Sequence, residues 1–310
     1  MKAVVIRAGS AALEAVPSPE AQSECLIRIT RAGICGTDLE LLRGYGAFEG
    51  IPGHEFVGIV ADAPAEARAW IGRRVVGEIN VGCGACDWCA ARVKEHCPHR
   101  TVVGILGRSG AFAEYLTLPV ANLHAVPEHV HDDVAVFVEP VAAACRILEQ
   151  IEVSGRTTAV IGDGRLGLLI AQVLCRAGAR VRVFGRHAHK LRIAEQLGLA
   201  VNGGPERYDI AVDATGRAEG LRLASELVRP RGTIVMKSTY HGEGALKAWP
   251  LVVDEVQLVG SRCGPFAAAL DLLATGAVEV RPLLAATYAL EDFGAAYDRA
   301  RRELKVLLRP

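Results

Sequence analysis

The hydrophobic pattern of the chain changes between its first and its second half. In residues 1–145, short segments such as Lys2–Arg7 and residues 25–32 alternate apolar and polar positions, with glycine or proline between them. This alternation is typical of β-strands that bury one face. From residue 157 onward, short apolar runs are separated by helix-forming stretches. We therefore expect a β-rich unit followed by an α/β unit with a doubly wound parallel sheet.

A glycine-rich turn opens the α/β unit. Gly162, Gly164 and Gly167 have the spacing G-x-G-x-x-G between an apolar run and the helix-forming stretch 166–177. Such glycines allow a tight turn and close approach of the backbone to a pyrophosphate, and the following helix offers free N–H groups to the anion. A turn that binds nothing is the alternative, but the strand-like segments that recur behind it favour a dinucleotide-binding domain. The predicted cofactor contacts in the turn are Gly162, Gly164, Arg165, Leu166 and Gly167.

The residues after the second strand of this unit predict the choice of cofactor. Domains that prefer NAD place an acidic residue about 20 residues after the glycines, where it binds the ribose 2′-hydroxyl, and NADP-binding domains use an arginine nearby. Here Gly185 stands at that position, and residues 164–194 contain no acidic residue. A 2′-phosphate would instead be surrounded by three basic residues, Arg186, His187 and Lys190. We expect NADP to be preferred, with NAD possible; the alternative is a basic loop that tolerates either cofactor.

Composition and charge exclude several classes of function. A length of 310 residues favours two domains, because single hydrophobic cores rarely exceed roughly 250 residues. Thirty-five basic residues balance 35 acidic ones, which argues against a protein that binds nucleic acid or an anionic membrane surface. Residues 1–10 enter a strand without a signal or transit pattern, and no run of about 18 apolar residues occurs. We therefore expect a cytoplasmic protein that binds neither a nucleic acid nor a membrane.

Cysteine spacing predicts a metal site. The nine cysteines are an odd number and cannot all pair within the chain. Four of them follow the pattern C-x-x-C-x-x-C with a fourth cysteine after seven residues, namely Cys83, Cys86, Cys89 and Cys97. Four thiolates at such spacing complete a tetrahedral Zn²⁺ shell and leave no open position, which is typical of a structural site. The alternatives are an iron–sulfur cluster and a zinc ribbon that binds nucleic acid; the balanced charge and the family resemblance given below disfavour both.

A second candidate metal site combines residues that are far apart in the sequence. Cys35 lies in a turn before a helical stretch, His54 opens the element after Pro52 and Gly53, and Glu139 begins a helix of small residues. A catalytic Zn²⁺ takes three ligands of the Cys, His or carboxylate type and keeps a fourth position open. Each residue also has a purely structural interpretation when it is taken singly, so the prediction depends on the three together.

These motifs together resemble the zinc-dependent medium-chain alcohol dehydrogenase family and, in the ligand set, its sorbitol dehydrogenase branch. The resemblance covers nearly the whole chain and rests on Cys35-Gly36-Thr37-Asp38, Gly53-His54-Glu55, the four cysteines, Glu139-Pro140 and the glycine turn. It implies a β-rich, partly open barrel of the GroES-like type, interrupted by a Rossmann domain. The implied catalytic domain, with the structural zinc lobe, comprises residues 1–145 and 262–310, and the implied dinucleotide-binding domain comprises residues 146–261.

The resemblance also implies the ligands of the catalytic metal. Cys35 and His54 would bind zinc directly, and Glu139 would take the third position. Glu55 is the family's additional carboxylate near the metal, and its alternative role is to balance charge without touching zinc. Asp38 would fix the tautomer of His54, as metal-bound histidines usually require.

The implied reaction is hydride transfer between the carbinol carbon of a small alcohol or polyol and C4 of NADP(H). Zinc lowers the pKa of an oxygen bound to it, and the hydroxyl of Thr37 would take the substrate proton. Glu40 stands where the family usually has a relay histidine. It would either pass the proton on or be a solvated glutamate on a helix face.

Cofactor and partner expectations follow from the same resemblance. We expect two zinc ions per chain, one catalytic and one structural, and a homo-oligomer, since family members form dimers or tetramers. Two other functions remain open. One is a zinc-free quinone or enoyl reductase, against which Cys35 and His54 argue, and the other is a noncatalytic dinucleotide-binding sensor.

Overall fold

The computed structural model describes residues 1–239 and 248–310, and no helix within these ranges is both long and apolar enough to cross a bilayer. The chain forms two compact units. Unit 1 comprises Met1–Glu139 and Leu284–Pro310, and unit 2 comprises Pro140–Leu283. The domain boundaries expected from the sequence, after residues 145 and 261, differ from the limits of these units and stay a prediction.

Strands and helices are numbered along the whole chain. The strands are β1 (Lys2–Arg7), β2 (Ser10–Ala15), β3 (Cys25–Gly33), β4 (Glu55–Asp62), β5 (Arg74–Gly77), β6 (Asn80–Val81), β7 (Thr101–Val103), β8 (Gly107–Arg108), β9 (Tyr115–Leu118), β10 (Leu123–Ala125), β11 (Thr157–Ile161), β12 (Arg180–Phe184), β13 (Ala200–Val201), β14 (Tyr208–Asp213), β15 (Val228–Met236), β16 (Gln257–Gly260), β17 (Leu284–Ala289) and β18 (Lys305–Arg309). The helices are α1 (Gly36–Leu41), α2 (Asp87–Ala90), α3 (Asp132–Ala135), α4 (Val138–Gln150), α5 (Arg165–Arg176), α6 (Ala188–Gln196), α7 (Ala218–Leu227), α8 (Trp249–Val253), α9 (Phe266–Ala274) and α10 (Phe293–Ala300).

The main sheet of unit 1 has the strand order β10-β5-β4-β3-β18-β17, and β9 also pairs with β3. It is mixed, because β17 and β18 run parallel while β3 is antiparallel to β4, β9 and β18. Among the described residues, its outer strands β10 and β17 do not pair with each other, so the sheet does not close into a barrel. This arrangement confirms the predicted β-rich, partly open unit.

The register of β3 against β4 brings together two turns that are distant in the sequence. Gly33, at the end of β3, stands opposite Glu55, at the start of β4. The residues just after β3 and just before β4 therefore meet at one edge of the sheet. Cys35 and His54 lie in these two positions.

In unit 2 the described residues form a parallel sheet in the order β13-β12-β11-β14-β15-β16. Its interior is apolar, with Val160, Val212 and Val235 fully buried. Ile161 at the carboxyl end of β11 pairs with Phe184 of β12, so the turns that begin with Gly162 and Gly185 lie side by side. In open α/β sheets this carboxyl edge is where ligands bind. The predicted Rossmann arrangement is thus confirmed.

Asp209 of β14 binds residues of β11 and β15 at the amino edge of this sheet, opposite the carboxyl edge. Its Oδ2 accepts hydrogen bonds from the backbone N–H and the hydroxyl of Thr157, at 2.8 and 2.7 Å, and its Oδ1 accepts one from Nε of Arg229 at 2.6 Å. Burial opposes ionisation, but these donors outweigh it and lower the pKa of Asp209 to about 2. The carboxylate therefore contributes stability above its unfolded pKa of about 3.9, and this contribution is lost as the pH falls through about 2.

We expect Asp209→Asn to lower the free energy of unfolding by about 1–2 kcal/mol at pH 7, because the charged acceptor is lost. The difference between the wild type and the variant should shrink as the pH is lowered from about 4 to about 2. Urea unfolding of both proteins across this pH range measures the difference in the free energy of unfolding. A difference that stays constant from pH 7 to pH 2 would contradict the assigned role.

Candidate metal centres and cofactor site

Three potential metal ligands converge at the edge formed by β3 and β4. Cys35, His54 and Glu55 each offer one ligand atom, and these atoms all lie within 4.8 Å of one another. His54 and Glu55 are buried and Cys35 is partly buried. Ligands of a tetrahedral zinc ion are separated by about 3.3–3.8 Å, as follows from metal–ligand distances of about 2.0–2.3 Å. A sulfur, an imidazole nitrogen and a carboxylate oxygen so grouped fit that ion.

Asp38 holds the two ligand-bearing turns together. Its Oδ2 accepts a hydrogen bond from the backbone N–H of Cys35 at 2.7 Å, and its Oδ1 accepts one from the N–H of Gly53 at 3.2 Å. Its side chain is fully buried in the first turn of α1. One carboxylate thus fixes both Cys35, which is the N-cap of α1, and the residue before His54.

The surroundings of His54 favour a positive charge. Oδ1 of Asp38 lies 3.5 Å from Nδ1 of His54, although the two atoms form no hydrogen bond. Burial opposes the charged imidazole, but Asp38 and Cys35 raise the pKa of His54 well above its ordinary value. A divalent cation would supply such a charge, so the donor set and its electrostatics both fit the implied metal. Tautomer control by Asp38 stays a prediction.

Lys305 is part of this cluster and was not predicted from the sequence. Its Nζ donates to Oε2 of Glu55, and both side chains are almost completely buried. Nζ also lies 5.4 Å from the centroid of the Phe137 ring. Burial lowers the pKa of Lys305 to about 8, against the opposite influence of Cys35 and Asp38. The only sequence signal is a lysine within the apolar stretch 304–308.

Gly33 makes room for this ion pair. A Cβ atom at position 33 would lie 2.5 Å from Oε2 of Glu55 and 3.0 Å from Cε of Lys305. Both separations are shorter than van der Waals contact, so any side chain at this position would displace the pair.

The remaining predicted catalytic residues lie at different distances from the cluster. Oγ1 of Thr37 is 3.8 Å from Sγ of Cys35, close enough to border a metal held there. Glu40 lies one turn further along α1, where its Oε1 accepts a hydrogen bond from Nη1 of Arg43 at 2.6 Å on an exposed surface. Glu139 lies in the first turn of α4 and is not part of the described three-ligand group. Its role as a zinc ligand stays a prediction, as do the roles of Thr37 and Glu40.

The four cysteines of the lobe come together around one point. All four sulfur atoms lie within 4.8 Å of one another. Sγ of Cys86 is 3.6 Å from Sγ of Cys89 and 3.6 Å from Sγ of Cys97. These separations are too long for a disulfide bond and close to the roughly 3.8 Å between sulfurs that share a tetrahedral zinc ion at about 2.3 Å. The lobe therefore fits a closed structural metal site.

The glycine turn of unit 2 has the geometry expected of a pyrophosphate site. Gly162 has φ +124° and a Cβ there would lie 2.7 Å from the carbonyl oxygen of Ala214, while a Cβ at Gly167 would lie 2.0 Å from the carbonyl oxygen of Gly162. A Cβ at Gly164 would meet no protein atom within 4 Å. Gly164 is the N-cap of α5, so open space lies beside a helix N-terminus, which fits an anionic ligand.

The predicted 2′-phosphate loop lies beside this turn. Gly185 follows β12, and the side chains of Arg186 and His187 are exposed before α6. Asp163, which the sequence motif leaves unspecified, accepts hydrogen bonds from the backbone of both basic residues. The structure therefore brings the glycine turn and the basic loop together in unit 2, and Lys190 lies in the first turn of α6.

Comparisons with known proteins agree with this arrangement. The family model of the alcohol dehydrogenase GroES-like domain matches residues 21–128, and that of the zinc-binding dehydrogenase matches residues 166–275. L-threonine 3-dehydrogenase of Coxiella burnetii (strain Dugway 5J108-111) is 30% identical over 315 residues, which cover 92% of this chain and 91% of the relative.

Two solved structures match over the full length. A zinc-binding dehydrogenase from Sinorhizobium meliloti 1021 bound to NADP superposes with a TM-score of 0.91 at 29% identity, covering 100% of this chain and 99% of that one. An alcohol dehydrogenase from E. coli CFT073 in complex with NADH superposes with a TM-score of 0.93 at 25% identity, with the same coverage. These two structures contain different nicotinamide cofactors.

Proposed function

Because the chain belongs to the zinc-dependent medium-chain alcohol dehydrogenase family, we propose that it transfers a hydride between a small alcohol or polyol, or the matching aldehyde or ketone, and NADP(H). As a member of that family the protein is an NAD(P)-dependent oxidoreductase. The observation that carries the proposal is the buried convergence of Cys35, His54 and Glu55, with the hydroxyl of Thr37 at 3.8 Å from Sγ of Cys35.

The chain's own residues supply the rest of the chemistry. Bound zinc would act as a Lewis acid on the substrate oxygen. Thr37 is the nearby hydroxyl that would relay the proton, accepting it from the hydroxyl of an alcohol while donating its own, and Asp38 keeps the turns of Cys35 and His54 in place. Glu40, one turn further on and exposed beside Arg43, would exchange the proton with solvent. In unit 2 the N–H groups at the start of α5 would bind the pyrophosphate.

We also propose two zinc ions per chain, because the three-ligand group and the four cysteines are separate clusters. The preference for NADP rests on Gly185 and on the exposed basic residues after it. Location in the cytoplasm and assembly into a dimer or tetramer are proposed from the family resemblance.

Metal analysis combined with turnover tests the proposed function. The purified chain should contain two zinc ions and should oxidise members of a panel of small alcohols and polyols with NADP⁺. One zinc ion should leave with loss of activity under mild chelation, while loss of the other should unfold the lobe. Turnover without metal would indicate a zinc-free reductase. Cofactor binding without turnover of any alcohol or carbonyl compound would indicate a sensor, and iron in the lobe would contradict the structural zinc.

Replacement of Glu139 by glutamine tests the third ligand. If the carboxylate binds zinc directly, its loss should weaken binding of the catalytic zinc by one to two orders of magnitude, roughly the range for disturbed metal shells. Competition with a chelator measures this affinity. Glu149→Gln is a matched control, because Glu149 is partly exposed and pairs with Arg146 on the same helix. Unchanged zinc retention in Glu139→Gln would leave Glu55 or water to complete the coordination.

Replacement of Arg186 by alanine tests the preference for NADP. One charge-assisted hydrogen bond to the 2′-phosphate contributes about 1.5–3 kcal/mol, which is roughly 10- to 150-fold in Kd. The Kd of NADPH should rise by that factor, and the Kd of NADH should hardly change because it has no 2′-phosphate. Arg192→Ala, on the exposed face of α6, is the matched control. Equal affinities for NADH and NADPH in the wild type would refute the preference.

A further inference from the structure

The carboxylate of Asp163 connects the glycine turn to the basic loop. Its Oδ2 accepts hydrogen bonds from the backbone N–H of Arg186 at 2.8 Å and from that of His187 at 2.7 Å. Its Oδ1 lies 2.9 Å from Nδ1 of the His187 ring. Asp163 follows β11, and the two basic residues follow β12. Three contacts from one side chain therefore join the two turns at the carboxyl edge of the sheet.

Asp163 also fills the space next to Gly185. A Cβ atom at position 185 would lie 2.5 Å from both Cβ and Oδ2 of Asp163. No side chain fits at position 185 while Asp163 keeps this conformation. The position at which NAD-preferring domains carry an acidic residue is thus closed to one here, and the nearby carboxylate comes from the glycine turn instead.

The carboxylate of Asp163 is engaged within the protein. Its side chain is only 9% exposed, whereas that of His187 is 50% exposed. Both oxygens already accept hydrogen bonds from the loop, so they are poorly placed to accept one from a ribose hydroxyl. Burial opposes its ionisation, but the N–H groups and the ring of His187 lower the pKa of Asp163. Its negative charge is therefore directed toward the loop backbone and the His187 ring.

We propose that Asp163 is a positioning residue for cofactor selection, which fastens the backbone of Arg186 and His187 to the glycine turn. This inference rests on the proposed function, in which the turn binds the pyrophosphate and the basic loop binds the 2′-phosphate. The two phosphate groups belong to one ligand and have a limited range of separations. Because the two protein elements are fixed to each other before binding, less conformational entropy of the loop is lost when NADPH binds. NADH lacks the second phosphate and gains much less from a fixed loop.

Three variants of the zinc-loaded protein test the inference by titration with NADPH and NADH, followed by cofactor fluorescence. Asp163→Ala removes every acceptor and should raise the Kd of NADPH roughly 10- to 150-fold, the range for losing a charge-assisted hydrogen bond. The Kd of NADH should rise less than about threefold. Asp163→Asn keeps a carbonyl oxygen for the two N–H groups and should retain most of the preference. Gly185→Ala should displace Asp163 from the other side and weaken NADPH selectively, even if Asp163→Ala fails to fold.

Asp209→Ala is the matched control. Asp209 also accepts backbone and side-chain hydrogen bonds, but at the opposite edge of the same sheet. Its loss should lower stability and leave the ratio of the two Kd values unchanged.

The outcomes separate this inference from the proposed function. Equal binding of NADH and NADPH by the wild type would refute the proposed preference for NADP, whatever the variants do. The comparison of each variant with the wild type decides the role of Asp163. A selective loss of NADPH affinity in Asp163→Ala and Gly185→Ala supports it. Equal weakening of both cofactors, or an unchanged ratio in the folded variants, overturns it.

Discussion

Replacing His54 with alanine is expected to remove one zinc ion per chain and to lower turnover by more than about 100-fold, because even residues that only support a metal ligand cost about 10- to 100-fold. The ring lies within a buried group with Cys35 and Glu55, and alanine offers no ligand atom in its place. The alanine also leaves the charge of Asp38 without its neighbour at 3.5 Å.

Zinc content by elemental analysis and turnover with NADP⁺ measure these effects together. His131→Ala is the control in the same unit, because its ring is 67% exposed and lies at the start of α3. The lobe should keep its zinc in both variants. Two zinc ions per chain and normal turnover in His54→Ala would refute the assignment of the catalytic site.

With no metal bound at Cys35 and His54, replacing Lys305 with methionine is expected to lower the free energy of unfolding by about 3–5 kcal/mol, since it leaves the Glu55 carboxylate buried without its partner. The double variant Lys305→Met, Glu55→Gln removes both charges. It should recover much of the loss, because neutral groups of similar volume often replace a buried ion pair at little cost. Urea unfolding of the single and double variants gives the two values.

An exposed ion pair in the same unit provides the control for Lys305. Lys2 pairs with Glu291, and the two side chains are 57% and 47% exposed. Lys2→Met should therefore change stability by less than about 1 kcal/mol. A loss of similar size in Lys2→Met and Lys305→Met would show that burial of the Lys305 pair has no special energetic role. If the double variant does not recover stability, the destabilisation by Lys305→Met is caused by the loss of packing and not by an unpaired charge.

The separation of two residues along the chain explains why some contacts could be predicted from the sequence and others could not. The glycine turn and the four cysteines are local patterns in which spacing alone restricts geometry, and the structure brings their members together. Lys305 meets Glu55 across 250 residues, and this contact depends on β18 pairing with β3. No local pattern encodes that pairing, so a single lysine in an apolar strand was the only sign of it.

Asp163 shows a different limit of sequence interpretation. The motif G-x-G-x-x-G specifies the glycines and allows any residue between the first two, so no role was predicted for Asp163. Gly185 was interpreted only as the absence of an acidic residue, whereas the structure shows that the Asp163 side chain fills the space beside it. The two anomalies together, an acid in the turn and a glycine after β12, form the signal that would have predicted the contact.

The position of β18 between β3 and β17 has a consequence for the order in which the chain matures during translation. The ribosome finishes all of unit 2 before it makes β18, so unit 2 can fold while the chain is still being synthesised. The sheet of unit 1 is completed later, because Ala32 and Gly33 of β3 gain their partner strand, and Glu55 gains the ammonium of Lys305, only when β18 is made. A newly made chain can therefore hold a folded unit 2 before the sheet of unit 1 is complete.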